Sequence, residues 1–349
     1  MLDMSFYNGK KVFITGHTGF KGSWLCKLLI NEGAIITGYS LAPQGEPNLF
    51  DLSGVASKTT SIFGDIRDFE NLLSHFQKAQ PEIVFHLAAQ PLVRESYVNP
   101  VYTYETNVLG TVNLLECVRL NECVKSVVNI TTDKVYKNLE QDFAYSETDA
   151  LNGYDPYSNS KSCSELVTSS YINSFFGDRN IAVSTARAGN VIGGGDFATD
   201  RIIPDCIRAA EKGENIVVRN PHSIRPYQHV LDPLIAYMLL AKAQYNEPSV
   251  ASSYNIGPND EGCVTTGDLV DLFTEKWGDG LAWINKSDGG PHEATFLKLD
   301  CTKFKRKFGW EPRLDIEEAV TKTVEWTKNY LENGDIQKCM DEQIKGVMK

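Results

Sequence analysis

In the first half of the chain, short apolar runs alternate with stretches whose apolar residues recur at helical spacing. Lys11-Val12-Phe13-Ile14-Thr15 is one such run and ends in glycines; Trp24, Leu25, Leu28 and Leu29 then share one helical face in the segment 20–32. Similar runs follow at 35–41, 62–66, 83–89, 124–131 and 181–186, with helix-like stretches between most of them. Uninterrupted apolar strands separated by helices predict a parallel sheet covered on both faces, a Rossmann-like doubly wound α/β fold. Beyond about residue 190 the runs shorten, as at 216–218, and helical patterns appear at 203–212 and 233–245, which predicts a smaller mixed α/β lobe. An amphipathic helix over 317–330 closes the pattern, and the polar tail after it is expected to fray. The expected division is 1–190 and 191–349, with the chain crossing between lobes near the boundary.

Composition narrows the classes. The 349 residues, 42% hydrophobic and 23% charged, suit a folded globular chain rather than a disordered one. A net charge of -11 opposes non-specific binding to nucleic acid or anionic membranes, so an anionic ligand must meet a local positive site. The cysteines, Cys26, Cys117, Cys123, Cys163, Cys206, Cys263, Cys301 and Cys339, lie far apart, which predicts free thiols and no metal. Residues 1–11 lack the apolar core of a signal peptide, and no apolar run approaches the ~20 residues of a membrane span, so a cytoplasmic protein is expected.

Gly16-His17-Thr18-Gly19-Phe20-Lys21-Gly22 stands between the first predicted strand and the first helix. Glycines there permit a tight turn and close approach of backbone, while the helix N-terminus offers N–H groups to a pyrophosphate. A dinucleotide cofactor is the expectation. No acid follows the second strand at Tyr39-Ser40-Leu41, and Lys21 is a candidate for a 2′-phosphate, which leaves NAD and NADP both open. Asp65, with Ile66, is a candidate for the adenine, or else a cap for the following helix.

Tyr157-Ser158-Asn159-Ser160-Lys161 follows Asp155-Pro156, an N-cap and first-turn proline, so Tyr157 and Lys161 share a helical face. A phenol of pKa ~10 needs nearby positive charge to act as a base, and Lys161 supplies one. Thr132, at the end of a predicted strand, adds a hydroxyl.

These segments, together with His86-Leu87-Ala88-Ala89-Gln90, Asn107 to Thr111, Thr131-Thr132-Asp133-Lys134-Val135-Tyr136, Arg225 to Val230 and Leu299 to Pro312, resemble the extended short-chain dehydrogenase/reductases. Within these the chain is similar to the nucleotide-sugar 4,6-dehydratases, and Lys134 in place of the usual Glu resembles the branch acting on CDP-glucose. The resemblance implies an NAD-dependent lyase. Tyr157 takes the C4 hydroxyl proton with Thr132 on the same oxygen, and C4 is oxidised while Lys161 holds the nicotinamide ribose. Lys134 takes the C5 proton or orients Asp133, Asp133 protonates the departing C6 hydroxyl, and the hydride returns to C6. It assigns cofactor contacts to residues 16–22, Asp65, Ile66, Leu87, Ala88, Ala89, Gln90, Asn107, Tyr157 and Lys161.

The substrate's pyrophosphate calls for guanidinium groups. Candidates are Arg94, Arg201, Arg219 and Arg225, with Asn190, Tyr227 and His292 beside them. A homodimer or dimer of dimers through the segment 100–117 and the helix 157–171 is also implied. The alternatives are another 4,6-dehydratase or 4-epimerase of the superfamily, or a non-catalytic dinucleotide sensor.

Overall fold

The structure, a computed structural model, describes residues 3–286 and 296–349. Its centre is a seven-stranded sheet of β1 (Lys11–Thr15), β2 (Ile35–Ser40), β3 (Thr60–Phe63), β4 (Ile83–His86), β5 (Ser126–Ile130), β6 (Ala182–Ala188) and β7 (Ser253–Ile256), in the order β7-β6-β5-β4-β1-β2-β3. Every neighbouring pair is parallel. The order reverses between β1 and β4, and it is at such a switch point that an open α/β sheet leaves a crevice beyond its strand ends.

The apolar runs are unbroken because both faces are covered. In β1, Val12 and Ile14 join one core and Phe13 the other. The first core lies under α1 (Phe20–Asn31) and α5 (Leu231–Asn246); the second under α2 (Phe69–Ala79), which contributes Leu72 and Phe76, and under the helix Gly110–Arg119. A third core, with Ile203, Ile216, Phe273 and Val320, belongs to the second lobe. Here α4 (Ile202–Lys212) and α6 (Ile316–Leu331) pack with the helix Thr266–Trp277. Residues 231–256 return to the sheet, since α5 covers its face and β7 forms its edge.

Two expectations need correction. The tail does not fray: Ile336–Met348 is a helix whose Ile336, Met340, Ile344 and Val347 join the first core, and its Asp341 pairs with Lys27 at 2.9 Å. Its i, i+4, i+8, i+11 stripe was diluted by the surrounding polar residues. The third strand ends at Phe63 rather than Ile66, so Asp65 lies in the following turn, and the cap of α2 is Asp68, whose side chain accepts from Asn71.

Candidate active site

The turn after β1 is shaped by what its glycines leave out. Gly16 has a left-handed φ of 76°, and a Cβ on it would lie 2.7 Å from the Ala88 nitrogen; one on Gly22 would lie 2.1 Å from the Gly16 carbonyl oxygen. The chain therefore folds back on itself closely enough to expose the start of α1. Gly19 gives that helix no side-chain cap, and its first turn carries no acid, so the N-terminal amides keep donors to offer an anion. Residues 87–89 form the opposite wall, with Ala88 donating its N–H to Thr15 Oγ1. This set fits a dinucleotide pyrophosphate.

Other residues expected near the cofactor have structural partners. Asn107 takes the Gln90 N–H at 2.8 Å and donates to the Gln90 carbonyl and, at 2.9 Å, to Ser160, so it braces the loop after β4 against α3 (Pro156–Tyr171). His17 is packed against Phe50 and Gly38, and burial pushes its ring down to about 4. Thr18 shares a hydrogen bond with Ser40 at the end of β2. Asp65 is clasped by Arg67 at 2.7 Å, and the Ile66 carbonyl takes an Asn113 amide. Phe20 packs on the first core.

Lys21 corrects an expectation. It is not at the adenosine end. Its Nζ donates to Tyr237 Oη on α5 at 3.2 Å, and it lines the same cleft as Thr132 and Tyr157. Loss of water, then the charges of Lys161 and Arg201, lower its ammonium to about 7, against the opposing pull of Asp133.

The cleft itself has a volume of about 670 Å³ and is lined by residues from both halves of the sequence. The end of β5 delivers Thr132, whose Oγ1 donates to Asp133 Oδ1 at 2.9 Å and accepts from the Lys134 backbone. Asp133 is 1% exposed, and its Oδ2 has no hydrogen-bond partner among the described residues. An unsatisfied buried carboxylate oxygen is costly and points to a ligand group. Lys134 is half-buried and reaches Asn190 Oδ1 at 3.3 Å.

Asp155 caps α3 by accepting from Ser158, and Pro156 fills its first turn, as their order in the sequence suggested. The helix then carries Tyr157 into the same cleft as Thr132. Burial pushes the phenol up to about 12, and Thr132 and Arg201 pull it only part of the way back. The chain's own charges therefore do not bring it into the neutral range. Lys161, one turn on, donates to the Ile130 carbonyl at 3.1 Å, and its burial, opposed by Glu165, lowers it to about 8.

The candidate substrate arginines converge on this cleft. Arg94, Arg201, Arg219 and Arg225 all line it, as do Asn190 and Tyr227. Arg225 is 5% exposed and has no carboxylate at ion-pair distance among the described residues; its Nη1 donates only to the Ile224 carbonyl at 3.3 Å. Arg201 pairs with Asp196, and Arg219 with Asp200, both at 2.9 Å. Tyr227 meets Thr266 at 3.1 Å, and His292 lies outside the described residues.

Sequence reasoning missed the support behind the site. Glu165 on α3, 3% exposed, accepts from Thr131 at 2.5 Å, Thr185 at 2.7 Å and Arg187 at 2.8 Å. Its only local signal was its place one turn after Lys161. His86 is a structural residue held between Thr15 and Thr111, and burial lowers it to about 3. No group of metal-binding side chains occurs among the described residues.

The comparisons agree with this geometry. Residues 13–323 match the family model described as GDP-mannose 4,6 dehydratase. A CDP-glucose 4,6-dehydratase of Salmonella typhimurium is 47% identical over 354 residues, covering 100% of this chain and 99% of its own. MoeE5, solved in complex with UDP-glucuronic acid and NAD, superposes with a TM-score of 0.78 at 26% identity, over 92% of this chain and 99% of its own. A UDP-glucose 4-epimerase of Thermus thermophilus shares the fold at a TM-score of 0.80 and 24% identity, over 91% of this chain and 98% of its own. By its matched residues and its full-length likeness, the chain belongs to the GDP-mannose 4,6 dehydratase family of extended short-chain dehydrogenase/reductases.

Proposed function

We propose that this protein is a lyase that converts CDP-D-glucose to CDP-4-keto-6-deoxy-D-glucose and water. The observation that carries the reading is Asp133, a buried carboxylate with one oxygen unpartnered beside the Thr132 and Tyr157 hydroxyls. A 4-epimerase has no water to expel and needs no acid there. The cytidine base rests on the likeness to the Salmonella enzyme.

Gly16, Gly19, Gly22 and the open N-terminus of α1 would hold the pyrophosphate of NAD, and Lys161 its nicotinamide ribose. When bound, NAD supplies the oxidant for C4 and the reductant for C6 and is unchanged over the cycle. Tyr157 accepts the C4 hydroxyl proton while Thr132 bonds the same oxygen. The 4-keto group acidifies C5, and Lys134, which faces the cleft beside Asn190, takes that proton. Asp133 gives its proton to the departing C6 hydroxyl. Arg225, buried and without a carboxylate partner among the described residues, supplies positive charge for the substrate diphosphate, with Arg94, Arg201 and Arg219 nearer the rim.

Two coarser features accompany this. Among the described residues no helix is long and apolar enough to cross a membrane. A cytoplasmic homodimer fits the exposed apolar side chains of Val98, Val101, Leu109 and Leu166, which lie on α3 and on the helical segments 93–109.

The test is incubation with CDP-glucose, dTDP-glucose and GDP-mannose in parallel, with NAD or NADP, followed by base-induced absorbance and product mass. CDP-glucose with NAD is expected to give a 4-keto product lighter by one water. Turnover of another nucleotide sugar in its place, or a product of unchanged mass, overturns the reading.

A further inference from the structure

A carboxylate crosses the mouth of the cleft. Asp200, just before α4, has its Oδ1 2.9 Å from Arg219 Nη1 and 3.9 Å from Arg94 Nε. Arg94 stands on the helix Val93–Val98, which leaves the sheet after β4; Arg219 follows the strand Ile216–Val218 of the second lobe. One oxygen thus faces guanidinium groups from both lobes, and all three residues line the cleft. Behind Arg219, Asp205 reaches Nη2 at 3.9 Å. Asp200 also has a φ of 58°, a left-handed backbone that a residue with a Cβ adopts at a cost.

Guanidinium groups brought together from opposite walls suit a phosphate. At the inner end of the cleft Arg225 has no internal carboxylate among the described residues, whereas at the rim Asp200 already occupies the space between Arg94 and Arg219. We infer that Asp200 is a built-in competitor for the substrate's diphosphate: it holds Arg94 and Arg219 across the cleft mouth and must release them when the nucleotide enters. This rests on the nucleotide-sugar reading above and names a residue that sets affinity within it.

The physical chemistry allows the exchange. The side chains of Arg94, Arg219 and Asp200 are 26%, 29% and 42% exposed, so their pairing is hydrated and weak. A diphosphate offers more charge and more acceptor oxygens than one carboxylate. Because substrate and product carry the same diphosphate, the competitor weakens both, which hastens product release at the expense of substrate affinity.

The test is calorimetric titration of the NAD-loaded protein with CDP, and with cytidine as a phosphate-free control, for wild type, Asp200→Asn and Asp200→Gly. Glycine removes both the carboxylate and the strain, so the pair keeps the test valid if the asparagine variant folds poorly. Both variants are expected to bind CDP about threefold to tenfold more tightly, with cytidine unchanged and the difference shrinking as salt is raised from ~20 to ~200 mM. Equal or weaker CDP binding in both variants overturns the inference, as does an equal gain for cytidine. Wild-type protein that neither binds CDP nor dehydrates CDP-glucose overturns the nucleotide-sugar reading itself, an outcome that does not depend on Asp200.

Discussion

Asp133 and Lys161 are charged side chains that the fold buries. Asp133 is held by Thr132 through one oxygen and left open through the other, so it is oriented without being satisfied. Asp133→Asn keeps the shape and removes the acid. We expect it to abolish water elimination while leaving some oxidation at C4, and a variant with undiminished dehydratase turnover would contradict the assignment. Lys161 is lowered from 10.5 to about 8 by burial. Between those values the unfolded chain binds a proton that the folded chain has released, so this group's contribution to stability rises with pH across that window. Below about 8 both states are charged and the folded one bears the full cost of the buried ammonium. Lys161→Met is therefore expected to be more stable than wild type by about 1–3 kcal/mol at pH 7, and to lose that advantage by pH 10. Thermal denaturation at the two pH values measures it; a pH-independent difference counts against a strained ammonium.

At the scale of elements, the groups proposed as catalytic follow the end of β5 or lie on α3, and Glu165 ties these two to β6. Its carboxylate joins Thr131 just past the end of β5 and Thr185 and Arg187 on β6, and Arg187 continues to the Tyr136 hydroxyl at 2.9 Å. Glu165→Ala leaves a guanidinium that is 4% exposed without its counter-charge, at a cost of about 3–5 kcal/mol. Chemical denaturation is expected to show that loss, while Glu165→Gln, which keeps an acceptor, loses less; equal stability in the alanine variant would mean that solvent or a neighbour replaces the pair. Helix starts were legible because their signals are local, as with Asp155 and Pro156 before α3. The Glu165 ties were not, because Thr131 and Thr185 lie far away along the chain and meet it only once the strands pair.

For the whole molecule, a net charge of -11 coexists with Arg94, Arg201, Arg219 and Arg225 around one opening. Val98 and Val101 are 72% and 69% exposed and Leu166 on α3 58%, and we propose that a second copy of the chain covers them. Val101→Glu with Leu166→Glu is expected to convert a dimer to monomers in light scattering, and an unchanged mass would place any interface elsewhere. The sequence by itself determined the parallel sheet, the glycine turn and the helix that puts Tyr157 and Lys161 on one face, because strand and helix periods, caps and tight turns are written in neighbouring residues; the role proposed for Asp133 came from the family resemblance. Only the tertiary structure decided that Lys21 turns toward the cleft, that the polar tail becomes a core helix and that Asp200 lies between two arginines. Each of these depends on which distant surface a side chain meets, and burial and charge are set by that meeting.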